Sequence, residues 1–297
     1  MSAWEHIDCY PAPLPPIRGL DREACRRYIL EHQTPEGGFC FYAYHAWGVE
    51  EPNAPDTLSA LAALRLLGFP TPRRKAVADW LKAQQYGDGG YATLVIAYGV
   101  LKALRLLGEA PLRDPAPYLR RLAHIHGLGD PRGRELAGWL HNALRLAELW
   151  RMYGLHLAGE MREGMAAALR RMQQEDGGYG SPGASLPDTA AAIELAASLG
   201  LSPDGRALDY VRRCEAPPYG FNITPHASSS SLECHHGGLR VLCRFRRLPR
   251  HGDLIQAYIL ACQAPRGGFG RMPDAVPRLE DTQRGLEALS ILARLRE

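Results

Sequence analysis

The 297-residue chain lacks the segments that would place it in a membrane or on a nucleic acid. No apolar run approaches the roughly 20 residues that a membrane span needs. No block of lysine and arginine is longer than three residues, and the formal net charge is only +3. A charge balance this mild does not indicate a nucleic-acid surface. We therefore expect neither a membrane span nor a nucleic-acid partner.

Signals for export and for a disulfide framework are also missing. The first twenty residues are rich in proline and carry Glu5 and Asp8, without the basic and apolar regions of a signal peptide. The seven cysteines are odd in number, scattered and without a CxxC pair, which is typical of reduced thiols. The sequence thus predicts a cytoplasmic protein, with 1–20 as an extended arm and 21–297 as a single domain.

What the chain has is a repeated phrase: a glutamine, three residues, two glycines and an aromatic residue. A degenerate copy covers Glu215–Phe221. The third repeat unit lacks the phrase and has the sequence GDPRG at 129–133 in its place. A phrase that returns every few tens of residues indicates one supersecondary unit stacked many times. Paired glycines allow a tight reversal, so we interpret this glycine phrase as structural. The four good copies are Gln33–Phe39, Gln85–Tyr91, Gln173–Tyr179 and Gln263–Phe269.

Between the phrases, the pattern of apolar residues predicts twelve helices in six pairs. The first helix of each pair is amphipathic and charged, whereas the second, such as 56–67, is apolar on almost all sides. A helix that is apolar on all sides is buried on all sides. The sequence therefore predicts an all-α fold of two concentric rings, with amphipathic helices outside and apolar helices inside. Six pairs can close on themselves, which hides the end faces of an open solenoid.

Glycine phrases followed by Asp-Thr helices resemble the prenyltransferase and squalene-oxidase repeat, which is found in protein prenyltransferase β subunits and in triterpene cyclases. The resemblance covers residues 21–295 and implies an α6–α6 barrel. It further implies that the inner helices line a deep apolar cavity for an isoprenoid diphosphate or polyprenyl chain. The chemistry would then lie at the rim formed by the inner-helix N-termini. A β-subunit-like barrel also implies a helical partner subunit.

Three predicted inner helices open with Asp-Thr, at Asp56, Asp188 and Asp281. Aspartate is a preferred N-cap, and its repetition in three units favours capping over three separate catalytic roles. Asp281 is the expected exception, because Glu280 adds a second carboxylate and two arginines lie nearby. As candidate functional residues we take Asp281 and Asp188 as catalytic and Asp56 as a substrate contact.

The segment around Cys234, His235 and His236 is the most unusual stretch of the chain. Thiol and imidazole groups suit zinc, but successive helical positions diverge by roughly 100°, so the three cannot all reach one ion. We predict a zinc site of Cys234 and His235 completed by Asp281. The sequence His236-Gly237-Gly238 resembles a His-Gly-Gly of the β subunits that helps to hold the diphosphate, which implies a catalytic role for His236.

Further candidates for substrate contacts are basic and aromatic. Arg132, Arg134 and Arg240 could contact a diphosphate. Tyr44 and Trp47 lie in the long loop before Asp56 and could contact an isoprenoid by packing or by cation–π attraction.

These residues favour a prenyltransferase-like enzyme without excluding related functions. Gln283 stands where the Asp-x-Cys of the β subunits has its cysteine, which argues against transfer to a thiol activated by zinc. The DxDD and DCTAE motifs of class II cyclases are absent, although a buried Asp281 could still act as a general acid. Two more hypotheses stay open, namely zinc-dependent chemistry on a thiol and a non-catalytic barrel that binds a lipid or a partner.

Overall fold

A computed structural model describes residues 13–41, 50–125, 131, 136–157, 159–202 and 204–297. Twelve α-helices and one two-stranded hairpin lie in these ranges. All twelve predicted helices are confirmed, and their ends fall within about three residues of the predicted ones. The helices are α1 (Arg22–Glu31), α2 (Ala54–Leu67), α3 (Arg74–Ala83), α4 (Leu94–Leu106), α5 (Ala116–Ile125), α6 (Leu136–Met152), α7 (Gly159–Met172), α8 (Leu186–Ser198), α9 (Gly205–Cys214), α10 (Leu232–Arg244), α11 (Gly252–Ala261) and α12 (Leu279–Arg296).

The chain divides into two compact units. In the terminal unit, 8–114 with 256–297, helix α2 packs between α12 and α4, and α1 and α3 cover α2 and α4. In the central unit, 115–255, helix α8 packs between α6 and α10, and α5, α7 and α9 pack against these three. Each unit thus has a layer of three core helices, and the prediction of one domain over 21–297 stays a prediction.

The two kinds of helix differ in burial as predicted. Most residues of α2 and α12 are buried, whereas α1 and α9 bury only one side. No helix in the described ranges is both long and apolar enough to cross a bilayer. The six cysteines that the structure describes are all free thiols.

The glycine phrase forms the turn between a covering helix and a core helix. Its first glycine has a positive φ in all four good copies, for example 111° at Gly37 and 106° at Gly267. A Cβ atom added at Gly267 would lie only 2.0 Å from the backbone of Ala24 on α1. Both the backbone conformation and the close approach therefore require glycine. The structural interpretation of the phrase is confirmed.

The glutamine that begins each glycine phrase joins its turn to the start of the next covering helix. Gln33 donates from Nε2 to the carbonyl of Gly37 at 3.1 Å and of Pro72 at 3.3 Å. Gln263 likewise accepts from the backbone N–H of Asp21 at 3.1 Å and donates to its carbonyl at 2.9 Å. The last repeat is thereby tied to the first helix within the terminal unit.

In three of the repeats, a threonine fastens the turn to the core helix that follows it. Thr57 Oγ1 accepts from the backbone N–H of Phe39 at 2.9 Å and donates to the carbonyl of Asn53 at 2.7 Å. Thr189 and Thr282 make the same pair of bonds in their own repeats. The threonine of the Asp-Thr pair therefore has a structural role in all three helices.

The fifth repeat replaces this arrangement by a hairpin. Strand β1 (Glu215–Ala216) pairs antiparallel with β2 (Gly220–Phe221), and both strands lie in the degenerate copy of the glycine phrase. This hairpin leads to the Cys-His-His segment at the start of α10.

Candidate functional site at the core-helix N-termini

The three aspartates of the Asp-Thr pairs are not N-caps, so the capping prediction was wrong. Helices α2 and α8 begin two residues earlier than predicted, with Asn53 and Ser185 as their N-caps. The cap side chains accept from the backbone N–H groups of Asp56 at 2.8 Å and Asp188 at 3.2 Å. Each of these two aspartates is thus the third helical residue, and its carboxylate accepts a hydrogen bond from the side chain of the N-cap. The distances are 2.6 Å from Asn53 Nδ2 and 2.9 Å from Ser185 Oγ.

Asp281 holds the same position in α12 without such a partner. The N-cap of α12 is Arg278, whose side chain makes no capping hydrogen bond. The Asp281 side chain is only 4% exposed, and its Oδ1 lies 3.5 Å from Arg284. Burial raises the pKa of Asp281, Arg284 opposes that shift, and the neighbouring Glu280 adds to it. Asp281 is therefore a buried carboxyl group that is harder to ionise than the same group in water.

Asp56 lies in the neighbouring core helix α2, and its pKa depends on some of the same charged groups. Burial raises its pKa, the hydrogen bond from Asn53 opposes this, and Glu280 raises it further. Tyr28 on α1 is buried as well, and its pKa is raised by burial and then by the charges of Asp56 and Asp281. The N-termini of α2 and α12 thus bring two carboxyl groups of raised pKa into one side of the terminal unit.

Asp188, the corresponding residue of the central unit, has the opposite character. Burial works against its ionisation, but hydrogen bonds from His141 and Ser185 outweigh it and lower the pKa. The His141 Nε2 atom lies 3.3 Å from Asp188 Oδ1. This environment keeps Asp188 ionised, so it suits a proton acceptor or an ion-pair partner better than an acid.

In α10, Cys234 and His235 take the places that Asp and Thr hold in the other helices. The N-cap is Ser231, which makes Cys234 the third helical residue and His235 the fourth. His235 is fully buried, and its Nδ1 lies 2.9 Å from the carbonyl of Ser231, the same interaction that the threonines make. Its Nε2 lies 2.8 Å from the carbonyl of Tyr219 in the hairpin. Burial lowers the pKa of His235, while the two backbone contacts oppose the shift.

These contacts bear on the predicted zinc site. Both ring nitrogens of His235 face carbonyl oxygens, and Cys234 Sγ lies 3.3 Å from Ser231 Oγ. Asp281, the predicted third ligand, belongs to the other unit. Among the residues that the structure describes, no three His, Cys, Asp or Glu side chains are grouped to hold a metal ion. Zinc stays a prediction, and the ring contacts of His235 do not favour it.

The glycines of the His-Gly-Gly sequence have a packing role. A Cβ atom at Gly238 would lie 2.7 Å from the ring of Phe221, and one at Gly237 would lie 3.0 Å from Ala190 Cβ on α8. His236 itself is half-buried. The close packing of α10 therefore accounts for the two glycines of the His-Gly-Gly sequence without a diphosphate.

Arg240, a predicted diphosphate contact, forms an ion pair inside the central unit. Its guanidinium lies 2.9 Å from Glu194 Oε2. Arg244 holds the same carboxylate with two hydrogen bonds, of 2.9 Å and 2.7 Å. Burial opposes the ionisation of Glu194, but the two arginines outweigh it and lower its pKa to about 2. The core layer of this unit thus contains a buried ion triad instead of a purely apolar wall.

The remaining predicted contacts, Tyr44, Trp47, Arg132 and Arg134, lie outside the described residues. Sequence reasoning missed Glu194 and Arg244. A charged residue in the apolar helix α8 was the available signal for the first, since such a residue needs a buried partner.

Comparison with known proteins agrees with this architecture. The family model of the prenyltransferase alpha-alpha toroid domain matches residues 12–93, 94–250 and 239–296. The chain therefore belongs to the prenyltransferase alpha-alpha toroid family, and the all-α toroid prediction is confirmed. No curated protein sequence matches the chain.

Two kinds of solved structure are similar to it. One is the protein geranylgeranyltransferase-I of Candida albicans in complex with GGPP, with 13% identity, 92% of this chain and 91% of that chain covered, and a TM-score of 0.66. Another is a variant of the type II terpene cyclase MstE from Scytonema in complex with geranylgeranyl dihydroxybenzoate, with 14% identity, 92% and 97% covered, and a TM-score of 0.59. MstE without ligand has 15% identity, 95% and 99% covered, and a TM-score of 0.58. At such identities the likeness establishes the fold alone.

Proposed function

We propose that this protein is an enzyme that binds an isoprenoid chain and protonates it with Asp281, as in type II terpene cyclisation. The observation that carries the proposal is the state of Asp281 in α12. It is the one of the three Asp-Thr carboxyl groups that no capping side chain holds, and it is almost fully buried. Isoprenoid ligands in the two similar structures support the substrate class.

The chemistry needs a carboxyl group that keeps its proton until the substrate takes it. In the proposed step, the π electrons of a terminal double bond form a C–H bond with the proton of Asp281. The O–H electron pair stays on the carboxylate, and the resulting carbocation is attacked by the next double bond. The last carbocation loses a proton to water, which gives a cyclic isomer of the substrate, and the carboxylate takes a new proton from solvent. Arg284, 3.5 Å away, and the positive end of α12 then stabilise the carboxylate.

Prenyl transfer, the function that the sequence favoured, has less support from the described residues. Arg240 is paired with Glu194, and the glycines after His236 are explained by packing. Prenyl transfer with a helical partner subunit and a non-catalytic isoprenoid-binding barrel both remain as outcomes of the test.

The test is incubation in D2O with squalene, geranylgeranyl diphosphate and a geranylgeranyl-substituted phenol, followed by mass spectrometry. We expect a cyclised isomer of one substrate that carries a single carbon-bound deuterium. Asp281→Asn should reduce its formation by about 100-fold or more, whereas Glu109→Gln, which removes a surface carboxylate, should not. Diphosphate release without deuterium would indicate transfer instead. Binding without turnover of any of the three substrates would indicate a non-catalytic barrel.

A further inference from the structure

A histidine and an aspartate bridge two core helices of the central unit. His141 Nε2 on α6 lies 3.3 Å from Asp188 Oδ1 on α8. The other oxygen of the same carboxylate, Oδ2, accepts a hydrogen bond from Ser185 Oγ at 2.9 Å. Ser185 is the N-cap of α8. The carboxylate is therefore held by its own helix and presents one oxygen to the imidazole ring.

This arrangement determines which ring nitrogen carries the hydrogen. Burial opposes the ionisation of Asp188, but the hydrogen bonds from His141 and Ser185 lower its pKa. A carboxylate can only accept, so the hydrogen of a neutral ring lies on Nε2 and the lone pair lies on Nδ1. Within the described ranges, no hydrogen bond to another residue occupies Nδ1. This nitrogen is therefore available as a proton acceptor.

Histidine is unusual at this position of a core helix. His141 is the sixth residue of α6, and the sixth residue is small in four of the other five core helices. At Gly99 of α4, for example, an added Cβ atom would lie 2.7 Å from the backbone of Ala54. The packing that this position usually serves does not account for an imidazole. The four small residues are Ser59, Gly99, Ala191 and Gly237.

Stability does not account for the pair either. The side chain of His141 is 43% exposed, and that of Asp188 is 32% exposed. A pair with this much exposure contributes only about 0–1 kcal/mol to the free energy of unfolding. The exposure instead leaves the imidazole ring open to a bound molecule.

We propose that His141 is a general base, positioned by Asp188, which takes the proton of a hydroxyl group bound beside Nδ1. The O–H bond breaks, its proton forms an N–H bond with Nδ1, and its electron pair stays on the oxygen. That oxygen then forms a C–O bond with an electrophilic carbon, and the imidazolium returns its proton to solvent. Asp188 stabilises the imidazolium and holds the ring in one tautomer.

The hydroxyl group belongs either to an isoprenoid substrate or to water. In its substrate class this inference rests on the proposed function, but its proton acceptor lies in the central unit, whereas Asp281 lies in the terminal unit. A substrate hydroxyl group would give a cyclic ether that is an isomer of the substrate. Water would give an alcohol that is heavier by one water molecule.

The first test observes the His141 ring in the full-length protein. Nitrogen-15 NMR of protein labelled at histidine identifies the protonated ring nitrogen at alkaline pH, and the His141 signals are assigned by their loss in His141→Gln. We expect the hydrogen on Nε2 in the native protein. In Asp188→Asn we expect a mixture of tautomers, because an amide can donate as well as accept.

The matched control for this test is Asp79→Asn, which breaks the exposed 2.8 Å pair of Asp79 with Lys75 and should leave the His141 tautomer unchanged. A hydrogen on Nδ1 in the native protein, or the same single tautomer in Asp188→Asn, overturns the inference.

The second test adds ligands to the same labelled protein. A geranylgeranyl-substituted phenol should shift the Nδ1 signal of His141, because its hydroxyl group donates to that nitrogen. Squalene has no hydroxyl group and should not shift it. If water is the proton donor, neither ligand shifts the signal, and product formed in water labelled with oxygen-18 carries the label. An unmoved signal without label in any product overturns the inference.

Turnover separates this inference from the proposed function. His141→Gln keeps a donor for Asp188 but has no basic nitrogen, so it should reduce product formation by about 100-fold or more, with circular dichroism confirming the fold. Loss of product in Asp281→Asn together with full turnover in His141→Gln would refute only the role of His141. Retained turnover in Asp281→Asn would refute the proposed function.

Discussion

The backbone N–H of Phe269 donates to Thr282 Oγ1 at 3.0 Å, and the same hydroxyl donates to the carbonyl of Arg278 at 2.7 Å. One buried hydroxyl therefore satisfies a turn and a helix start together. Thr282→Val keeps the shape but leaves the buried N–H of Phe269 without an acceptor. We expect a loss of about 1–3 kcal/mol in the free energy of unfolding, measured by urea denaturation.

The matched control for this prediction is Thr71→Val, a half-buried threonine outside the glycine phrases. It should change stability by no more than about 0.5 kcal/mol. Equal effects of the two substitutions would contradict the role of the Thr282 hydroxyl.

Gly238 and Phe221 form a tight pair in the central unit. A methyl group at position 238 would lie 2.7 Å from the aromatic ring, so Gly238→Ala forces the ring or the helix to move. We expect a destabilisation of about 1–3 kcal/mol for this overpacked site. In the background of Phe221→Leu, the same glycine substitution should cost less. A double-mutant cycle by chemical denaturation measures this coupling, and strictly additive costs would rule it out.

Gly267, the first glycine of the last glycine phrase, should tolerate a side chain much less well than Gly87, which lies at an open site. Gly267→Ala places a methyl group 2.0 Å from the backbone of Ala24 at a φ of 106°, so we expect a loss of several kcal/mol or no folded protein. Gly87→Ala, in the second phrase, meets no atom within 4 Å and should be nearly neutral. Thermal unfolding of the two variants gives the comparison, and a fully stable Gly267→Ala protein would be inconsistent with the structure.

The buried triad of Glu194, Arg240 and Arg244 should make stability dependent on acid. The pKa of Glu194 is lowered from 4.5 to about 2, so its ionised form stabilises the fold. This contribution is fully present above about pH 4.5 and is lost as the pH falls towards 2. Glu194→Gln removes the carboxylate that both guanidinium groups share and should cost about 3 kcal/mol at pH 7.

The pH dependence provides the check on that variant. The difference in unfolding free energy between the native protein and Glu194→Gln should shrink as the pH is lowered from 5 towards 3, because Glu194 becomes protonated on unfolding. If this difference in unfolding free energy stays constant from pH 5 to pH 3, the ionised carboxylate of Glu194 does not stabilise the fold.

Much of the fold could be predicted from the sequence because its signals are local. The period of the apolar residues marked all twelve helices, and the glycine phrase marked the turns. The interpretation of Gly37 and Gly267 as turn residues needed only their neighbours in sequence. The N-caps Asn53 and Ser185 were missed because the aspartate three residues later is also a preferred N-cap residue and was predicted to be the cap. The cap residue three positions before each aspartate was nevertheless visible in the sequence.

The candidate site depended on partners that the sequence could not pair. His235 contacts a carbonyl 16 residues away, and Arg244 binds Glu194 from 50 residues away. Only packing decides which charged groups meet at such separations. The same holds for Asp281, because its burial depends on how α12 packs.

The sequence by itself determined the repeat, the number of helices and the division into apolar and amphipathic ones, because each follows from periodicity along one segment. The tertiary structure decided the chemical state of the three aspartates that the sequence makes look alike. Asp56 and Asp188 are bonded to their N-caps, whereas Asp281 is buried without that bond. The cost of ionising a buried carboxyl group depends on what surrounds it, and those surroundings are assembled only when the chain folds.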